Sequence, residues 1–202
     1  MAENRKEEII IAAVDLAAKY GFNGVSMNMI ADKVGVKKPS LYNHFKSKEE
    51  LIDEAYNFLR QQAIKASQTD LNDFDSFMEH KSAVEILQYI VSDYIKISNR
   101  KKVRTFYKII YSERCFNKTA AKILSEETEK NIYKIKRLFY ILEAQKKMHF
   151  KNTDYSAKNF VLTVQGFIDY DKDIRMSKRR SSFSLMEELK KYILYFCEEN
   201  KI

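Results

Sequence analysis

The sequence predicts an all-α protein, and the scarcity of helix-breaking residues is the first evidence. The 202 residues include one proline and four glycines, whereas strand-rich folds need regular turns built from these residues. Leucine, isoleucine, glutamate, lysine and alanine, which favour helices, are abundant. With 45% hydrophobic residues, the chain can also bury a substantial core. We expect about nine helices in total.

The same composition disfavours several classes of enzyme and metal site. Gly-rich loops that hold phosphates need closely spaced glycines, and the four glycines here are scattered. Cys115 and Cys197 form no CxxC pair and the three histidines are far apart, which argues against a disulfide framework and a zinc site. No nucleophile–base pair is visible. We therefore expect no cofactor, no metal and no catalysis.

The distribution of charge and hydropathy predicts a soluble, cytoplasmic protein without a membrane partner. The first eight residues are heavily charged and lack the apolar core of a signal peptide. No stretch approaches the roughly 18 apolar residues of a membrane-spanning helix. The formal net charge of +8 suggests a nucleic-acid partner only if the cations are clustered.

The first two helices are each ended by a glycine. Apolar residues recur at three- and four-residue spacing over residues 3–20, which predicts a helix that Gly21 terminates. A short second helix follows Ser26, a favourable N-cap residue, and ends at Gly35. Glycine at this position permits the backbone conformation that a tight turn needs.

Two further signals place the third and fourth helices. Pro39 is tolerated in the first turn of a helix, because its missing N–H would have no partner there. We therefore expect a third helix over residues 39–45, with Leu41 and Phe45 directed inward. The segment Ser47-Lys-Glu-Glu50 has the pattern of a capping box and predicts a fourth helix that reaches about residue 66.

Longer helices are predicted in the rest of the chain, after a polar connector at residues 67–82. These helices span residues 83–99, 103–112, 119–147, 155–171 and 185–200. A basic segment at residues 172–184 is expected to be a solvated loop. The basic cluster at residues 96–108 is interpreted as a solvated helix end, the alternatives being contact with DNA or with an acidic ligand.

Two short helices around a turn glycine, behind a longer first helix, match the helix-turn-helix plan. From Lys33 to Lys48 there are five lysines and one histidine but no acidic residue. Cations and hydrogen-bonding side chains clustered on one short helix are what binding to duplex DNA requires. The alternative is a small helical subdomain with a solvated lysine face. The turn glycine, the capping box and the Tyr42-x-His44 pattern together favour DNA binding.

The N-terminal part of the chain resembles the DNA-binding domain of TetR-family transcriptional regulators. The resemblance rests on residues 9–22 (IIIAAVDLAAKYGF), residues 26–31 and above all residues 35–51 (GVKKPSLYNHFKSKEEL). Ile11 and Ala17 depart from the family pattern, which has a polar residue and a large aromatic residue at these places. These two departures concern local packing.

The resemblance implies roles for individual side chains in DNA binding. The third helix would be the recognition helix in the major groove, and the residues nearest the base edges would be Lys37, Lys38, Pro39 and Tyr42. Lysine can donate to guanine, and asparagine can pair with adenine. Lys48 and the first-turn N–H groups of the fourth helix would hold a phosphate. The full predicted set is Ser26, Met27, Asn28, Lys37, Lys38, Pro39, Ser40, Tyr42, Asn43, His44 and Lys48.

The resemblance also implies a homodimer, because in this family the last two helices pair with their copies. Both helices carry wide apolar faces in this sequence. A symmetric dimer would bring two recognition helices to successive major grooves about 34–36 Å apart, so a palindromic operator is expected. The predicted interface residues are Phe160, Val164, Phe167, Ile168, Leu189, Tyr192, Ile193 and Phe196.

A small-molecule pocket in the C-terminal helices is a further implication of the resemblance. Aromatic residues at helical spacing are usually ordinary core, but apolar walls with a few polar groups are also what a pocket needs. The candidate lining residues are Gln88, Phe106, Tyr107, Tyr111, Tyr133 and Gln165.

The sequence thus predicts a helix-turn-helix DNA-binding domain over residues 1–48 and a helical ligand-binding and dimerisation domain over residues 49–202. The functional hypothesis is a dimeric repressor that an unknown small-molecule effector releases from its operator. Repression is adopted as the usual mode of the resembled family. The alternative is a DNA-binding regulator whose C-terminal domain docks a protein partner.

Overall fold

The computed structural model describes residues 2–67 and 78–202, and only the backbone of residues 2–4. In these stretches every regular element is a helix, which confirms the all-α prediction. None of the helices described is long and apolar enough to cross a bilayer. The helices are α1 (Ala2–Tyr20), α2 (Met27–Val34), α3 (Lys38–Tyr42), α4 (Lys48–Ser67), α5 (Ala83–Ser98), α6 (Lys101–Glu113), α7 (Lys118–Ala144), α8 (Thr153–Met176) and α9 (Leu185–Glu199).

The chain forms two compact units, each built from two separate stretches of sequence. The first unit comprises residues 1–69 and 96–125, and the second comprises residues 70–95 and 126–202. Helices α4 and α6 pack against each other and against α1, so the first unit is larger than a helix-turn-helix. The division at residues 48 and 49 does not coincide with these units; as a division of function it stays a prediction.

The core of the first unit holds the helix-turn-helix in place. Leu41 and Phe45 are 0% and 1% exposed, as their spacing predicted, and they lie in one cluster with Ile30, Leu51 and Phe106. Burying a side chain of this size contributes roughly 1.5–3 kcal/mol. The five residues of α3 are too few to form a stable helix alone. Its position therefore depends on this burial.

Local hydrogen bonds fix both ends of α2 where the sequence predicted them. The Met29 N–H donates to Ser26 Oγ at 3.2 Å, which makes Ser26 the N-cap. Gly35 has a φ of 75°, and the N–H of Val36 reaches the Ala31 carbonyl at 3.0 Å. This is a Schellman motif, which needs a left-handed residue and therefore favours glycine.

Helix α3 ends at Tyr42, before the predicted end at residue 45. The N–H groups of His44 and Phe45 both donate to the Leu41 carbonyl at 3.0 Å. Because the Leu41 carbonyl accepts both hydrogen bonds, the chain tightens into a turn after α3. The turn directs Phe45 inward, so the burial prediction holds although the helix prediction does not.

The prediction of a solvated loop over residues 172–184 is wrong for its first five residues. Helix α8 continues to Met176, and ion pairs between side chains one helical turn apart stabilise this extension. Lys172 Nζ lies 3.2 Å from Asp169 Oδ1, and Arg175 Nε lies 2.8 Å from Asp171 Oδ2.

Helix α7 ends at Ala144, three residues before its predicted end. Lys146 adopts a φ of 53°, which a continuing helix does not permit. The ammonium group of Lys147 then donates to backbone carbonyls of Met78, Glu79 and Lys81.

The predicted polar connector at residues 67–82 lies largely outside the described residues. Ser67 is the last residue of α4, and residues 78–80 are helical. Met78 is 3% exposed within the core of the second unit, so this end of the segment is not a polar connector.

A cluster of aromatic rings forms the centre of the second unit. The Phe139 ring lies 4.6 Å from that of Phe150, 5.6 Å from that of Phe160 and 5.5 Å from that of Phe196. These four residues come from α7, the loop after it, α8 and α9. Contacts within this aromatic cluster therefore fix the packing of the last helices against α7.

Replacing Gly35 by alanine should destabilise the protein by about 1 kcal/mol, because alanine adopts positive φ poorly. A Cβ at this position would meet nothing within 4 Å, so backbone strain is the only cost. Thermal or urea unfolding measures the change. Gly35→Asn is the control and should lose less, since asparagine tolerates the left-handed region. Equal losses would contradict this explanation.

Candidate nucleic-acid interface

The outward side of α3 collects the cationic and hydrogen-bonding side chains that the sequence predicted. The Tyr42 ring is 46% exposed, while Leu41 on the opposite side is fully buried. Its exposed neighbours are Lys37, Lys38, Pro39 and Asn43. Two lysines, a phenol and an amide thus share one solvent-facing surface on a helix whose other side is fixed.

The start of α3 is open to solvent. Lys37 is the N-cap and makes no capping hydrogen bond with its side chain, so its ammonium group remains on the surface. Pro39 lies in the first turn, where the missing N–H leaves no donor unpaired. The Ser40 N–H donates to the Lys37 carbonyl at 2.9 Å. Ser40 and His44 are half-buried at the edge of this surface.

The start of α2 presents two of its three predicted contact residues. Ser26 and Asn28 are exposed. Met27 is 5% exposed and belongs to the core cluster, so its side chain does not reach the surface. The apolar residue behind the N-cap packs inward and anchors the helix start. Only the backbone of Met27 remains available to a partner.

The start of α4 forms one of the two hydrogen bonds of the predicted capping box, and it leaves fewer free donors than predicted. The Glu50 N–H donates to Ser47 Oγ at 3.1 Å, and the Lys46 N–H donates to Glu50 Oε2 at 2.5 Å. Hydrogen bonds from its own N–H and from Ser47 hold the pKa of Glu49 below its usual range. Two carboxylates therefore compete with a phosphate, while exposed Lys46 and half-buried Lys48 are cations of this segment that attract one.

One lysine of the segment is already paired. Lys33 Nζ lies 3.2 Å from Asp15 Oδ2, which ties the end of α2 to α1. Both groups are substantially exposed, so the pair contributes little to stability. Lys33 was not among the predicted DNA contacts, and its pairing with Asp15 is consistent with a role in holding α2 against α1.

The eight residues predicted for a dimer interface do not form an outer surface. Phe167 and Tyr192 are half-buried. The other six are buried in the core of the second unit: Phe160, Val164, Ile168, Leu189, Ile193 and Phe196. Periodicity identified the apolar sides of α8 and α9, but those sides pack within the chain.

Other apolar residues occupy the outer sides of these two helices. On α8, Leu162 is 46% exposed, and a Cβ on the exposed Gly166 would meet nothing within 4 Å. On α9, Leu194 is 53% exposed, with Met186 and Tyr195 also exposed. Both helices therefore carry apolar groups on two sides.

The six predicted pocket residues divide between the two compact units. Gln88, Tyr133 and Gln165 lie in the second unit, and Tyr133 is exposed. Phe106, Tyr107 and Tyr111 lie in the first unit on α6. Phe106 is 2% exposed and belongs to the core. The pocket itself stays a prediction.

The basic cluster before and within α6 is not simply a solvated helix end. Arg100 Nη1 donates to the Ala66 carbonyl at 2.5 Å, and Lys108 Nζ donates to the Ala18 carbonyl at 3.1 Å. These carbonyls lie in the last turns of α4 and α1, where helical partners are missing. Both cations therefore cap helix ends. No sequence signal pairs them with those ends, which are 34 and 90 residues away.

Sequence reasoning also missed Glu113, the last residue of α6. Its side chain is 5% exposed, and Oε1 accepts the Phe22 N–H at 2.9 Å. A glutamate in a helix rich in lysine gives no indication that it is buried. Its partner is a backbone group 91 residues earlier.

The helix-turn-helix region matches a family model, described as bacterial regulatory proteins of the tetR family, over residues 9–55. The matched range contains the whole surface of α2 and α3 described above. Residues 9–55 therefore match the DNA-binding domain of the TetR family.

Curated relatives match this chain over part of its length. The HTH-type transcriptional activator FasR of Mycolicibacterium smegmatis is 43% identical over 49 residues, 24% of this chain and 22% of that protein. The tetracycline repressor protein class D of Escherichia coli is 38% identical over 53 residues, 26% of this chain and 24% of the repressor. The chain thus matches less than a quarter of the length of these two relatives.

Solved structures resemble the chain over its whole length, in fold alone. A putative TetR-family transcriptional regulator from Mesorhizobium loti has a TM-score of 0.68 at 18% identity, covering 100% of this chain and 99% of that one. The flavonoid-responsive regulator FrrA has a TM-score of 0.66 at 21% identity, covering 98% and 96%.

Proposed function

We propose that the chain is a sequence-specific DNA-binding transcriptional regulator, a dimeric repressor that a small-molecule ligand releases from a palindromic operator. The observation that carries the proposal is the surface of α3. Lys37, Lys38, Tyr42 and Asn43 are exposed there, while Leu41 and Phe45 fix the helix from behind. Its place of action would be the cytoplasm, where the DNA lies, and no enzymatic step is part of the proposal.

The chemistry of this surface suits the major groove. Lysine ammonium groups can donate to guanine O6 and N7, and the Asn43 amide can pair with adenine. Ser26, Ser40 and His44 at the edges supply donors for phosphates, which position a protein without reading sequence. No acidic residue occurs between Lys33 and Lys48 to repel the phosphate backbone.

The second copy of the chain is proposed to dock on the outer sides of α8 and α9. Leu162 and Leu194 are about half exposed, and Gly166 is open to close approach. A helix glycine is disfavoured by about 1 kcal/mol relative to alanine, a cost that close helix packing would offset. The TetR-family resemblance supports the same pair of helices.

Release by a ligand rests on the resemblance to regulators of this family. FrrA, whose fold the chain shares, is named as flavonoid-responsive. A ligand shifts the protein only if it binds the released arrangement more tightly than the DNA-binding one. A coupling of about 1–3 kcal/mol would change operator affinity roughly 5- to 150-fold. The alternative is a C-terminal region that docks a protein partner.

Replacing Lys38 and Tyr42 together by alanine should weaken binding to the cognate duplex by roughly tenfold or more, because each base contact contributes about 1–3 kcal/mol of discrimination. The duplex is obtained by selection from a random pool and by testing DNA upstream of the gene. Fluorescence anisotropy at physiological salt, with excess nonspecific competitor, measures the affinity.

The matched control is Lys65→Ala, which removes one exposed lysine at the far end of α4. Its affinity should stay within about twofold of the unmodified protein, apart from a small long-range charge effect. If no duplex is selected under any condition, or if the α3 variant binds normally, the proposed DNA interface is wrong.

Leu194→Asp should convert the dimer to a monomer at micromolar concentration, because it places a charge in the proposed apolar interface. Analytical ultracentrifugation measures the mass, and circular dichroism checks the fold. Ile141→Asp is the control, since Ile141 is 45% exposed on α7, outside the proposed face. A dimer that survives Leu194→Asp, or dissociates equally in the control, excludes this face.

A small molecule that raises the melting temperature of the protein should also weaken operator binding, by about 5- to 150-fold. A thermal-shift screen of metabolites and plant phenols, followed by anisotropy with each hit, makes the measurement. Hits that leave the dimer with full operator affinity would contradict ligand release. A stoichiometric protein that copurifies and blocks operator binding would favour the alternative.

A further inference from the structure

The end of α1 is completed by side chains of α6. At the end of α2, the Val36 N–H donates to the Ala31 carbonyl of the helix that it follows. At the end of α1, by contrast, the Phe22 N–H donates to Glu113 Oε1 at 2.9 Å. The Ala18 carbonyl accepts from Lys108 Nζ at 3.1 Å. Helix α6 therefore supplies an acceptor and a donor that the first helix lacks.

Glu113 is buried, a position that glutamate rarely occupies unless it is paired. The side chain is 5% exposed, and burial penalises a carboxylate that lacks full compensation. As the last residue of α6, it also faces the negative end of the helix dipole. Gly21 allows the approach, since a Cβ there would lie 3.2 Å from Glu113 Oε1. The buried carboxylate therefore lies against the turn after α1 and accepts a hydrogen bond from it.

A second polar group is buried near this carboxylate. Tyr56 of α4 is 0% exposed, and its hydroxyl has no hydrogen-bond partner among the described residues. Burial first, and then the nearby Glu113 carboxylate, raise the pKa of Tyr56. Its ring contacts that of Phe22 edge-on, with centroids 5.1 Å apart. Buried polar groups are normally hydrogen-bonded, so this unpaired hydroxyl is an exception in the core of the first unit.

We propose that Glu113 is the positioning residue through which α6 holds the α1–α2 turn, and with it the helix-turn-helix, in the DNA-binding arrangement. The proposal rests on the operator binding proposed above and names the element that regulates it. Three candidate pocket residues, Phe106, Tyr107 and Tyr111, lie on the same helix. A ligand that displaces α6 would withdraw the acceptor from the Phe22 N–H. The fraction of molecules competent to bind DNA would then fall, and apparent affinity with it.

Hydrogen exchange at the Phe22 amide tests the contact without any DNA. The unmodified full-length protein should protect this amide, Glu113→Gln should keep most of the protection because an amide oxygen still accepts, and Glu113→Leu should lose it. A loss of protection by about tenfold is expected for one buried hydrogen bond. Equal protection in Glu113→Leu and in the unmodified protein would overturn the proposal.

Operator affinity tests the consequence. With the selected duplex as probe, Glu113→Leu should bind about fivefold or more weakly, and Glu113→Gln should stay within about threefold of the unmodified protein. The dependence of affinity on salt should be unchanged, because the variant alters the competent fraction and not the number of phosphate contacts. A change in salt slope would indicate direct loss of DNA contacts and would contradict a positioning role.

Two controls separate positioning from general damage to the fold. Half-buried Glu143 in the second unit accepts the Phe150 N–H at 3.2 Å and the Thr153 hydroxyl at 2.7 Å, so Glu143→Leu removes carboxylate hydrogen bonds remote in sequence from the turn. Tyr56→Phe removes the unpaired hydroxyl and leaves the Glu113–Phe22 bond in place. Both should keep operator affinity within about twofold. If Glu143→Leu weakens operator binding as much as Glu113→Leu does, the effect is general destabilisation and the proposal fails.

If Glu113→Leu does not fold, Glu113→Asp replaces it, because the shorter side chain retracts the carboxylate from the turn but keeps the charge. Normal Phe22 protection and operator affinity in Glu113→Asp would overturn the proposal. If the unmodified protein binds no duplex, the proposed function fails. The exchange result then still decides whether α6 holds the turn.

Discussion

The structure of the helix-turn-helix region depends on the burial of Leu41 and Phe45 behind α3. Five residues cannot form a helix stable in water, since nucleation is unfavourable and few hydrogen bonds follow it. The two side chains anchor α3 against α2 and α4, and the Gly35 turn sets the direction in which it leaves α2. Because one side of α3 is fixed in this way, the other can carry Lys38 and Tyr42 without any structural demand on them.

A second constraint is the pairing of helix ends. The carbonyl groups in the last turns of α1 and α4 lack N–H donors within their own helices. Cationic side chains from residues 100–108 donate hydrogen bonds to them instead. Glu113 provides the matching acceptor for the turn after α1. Through these bonds α6 belongs to the same compact unit as the helix-turn-helix, although some fifty residues separate them in sequence. A helix that completes the ends of others is well placed to change their arrangement.

The range of similarity to known proteins follows from different physical demands. The family model matches residues 9–55, where α2 and α3 lie, while the fold is shared with solved structures over nearly the whole chain. Side chains that meet base edges and phosphates must be of particular types. A helical core requires only apolar residues of suitable volume at helical spacing, so many sequences satisfy it.

The sequence by itself determined the class of fold, the caps and turns around α2, α3 and α4, and the inward direction of Leu41 and Phe45. Caps and turns depend on residues within about one helical turn, so their signals are local. Only the tertiary structure decided that Met27 and the predicted faces of α8 and α9 pack inside the chain. Periodicity shows that a helix side is apolar but not which surface covers it. Likewise, Glu113 is buried only because folding brings it to the Phe22 N–H from 91 residues away.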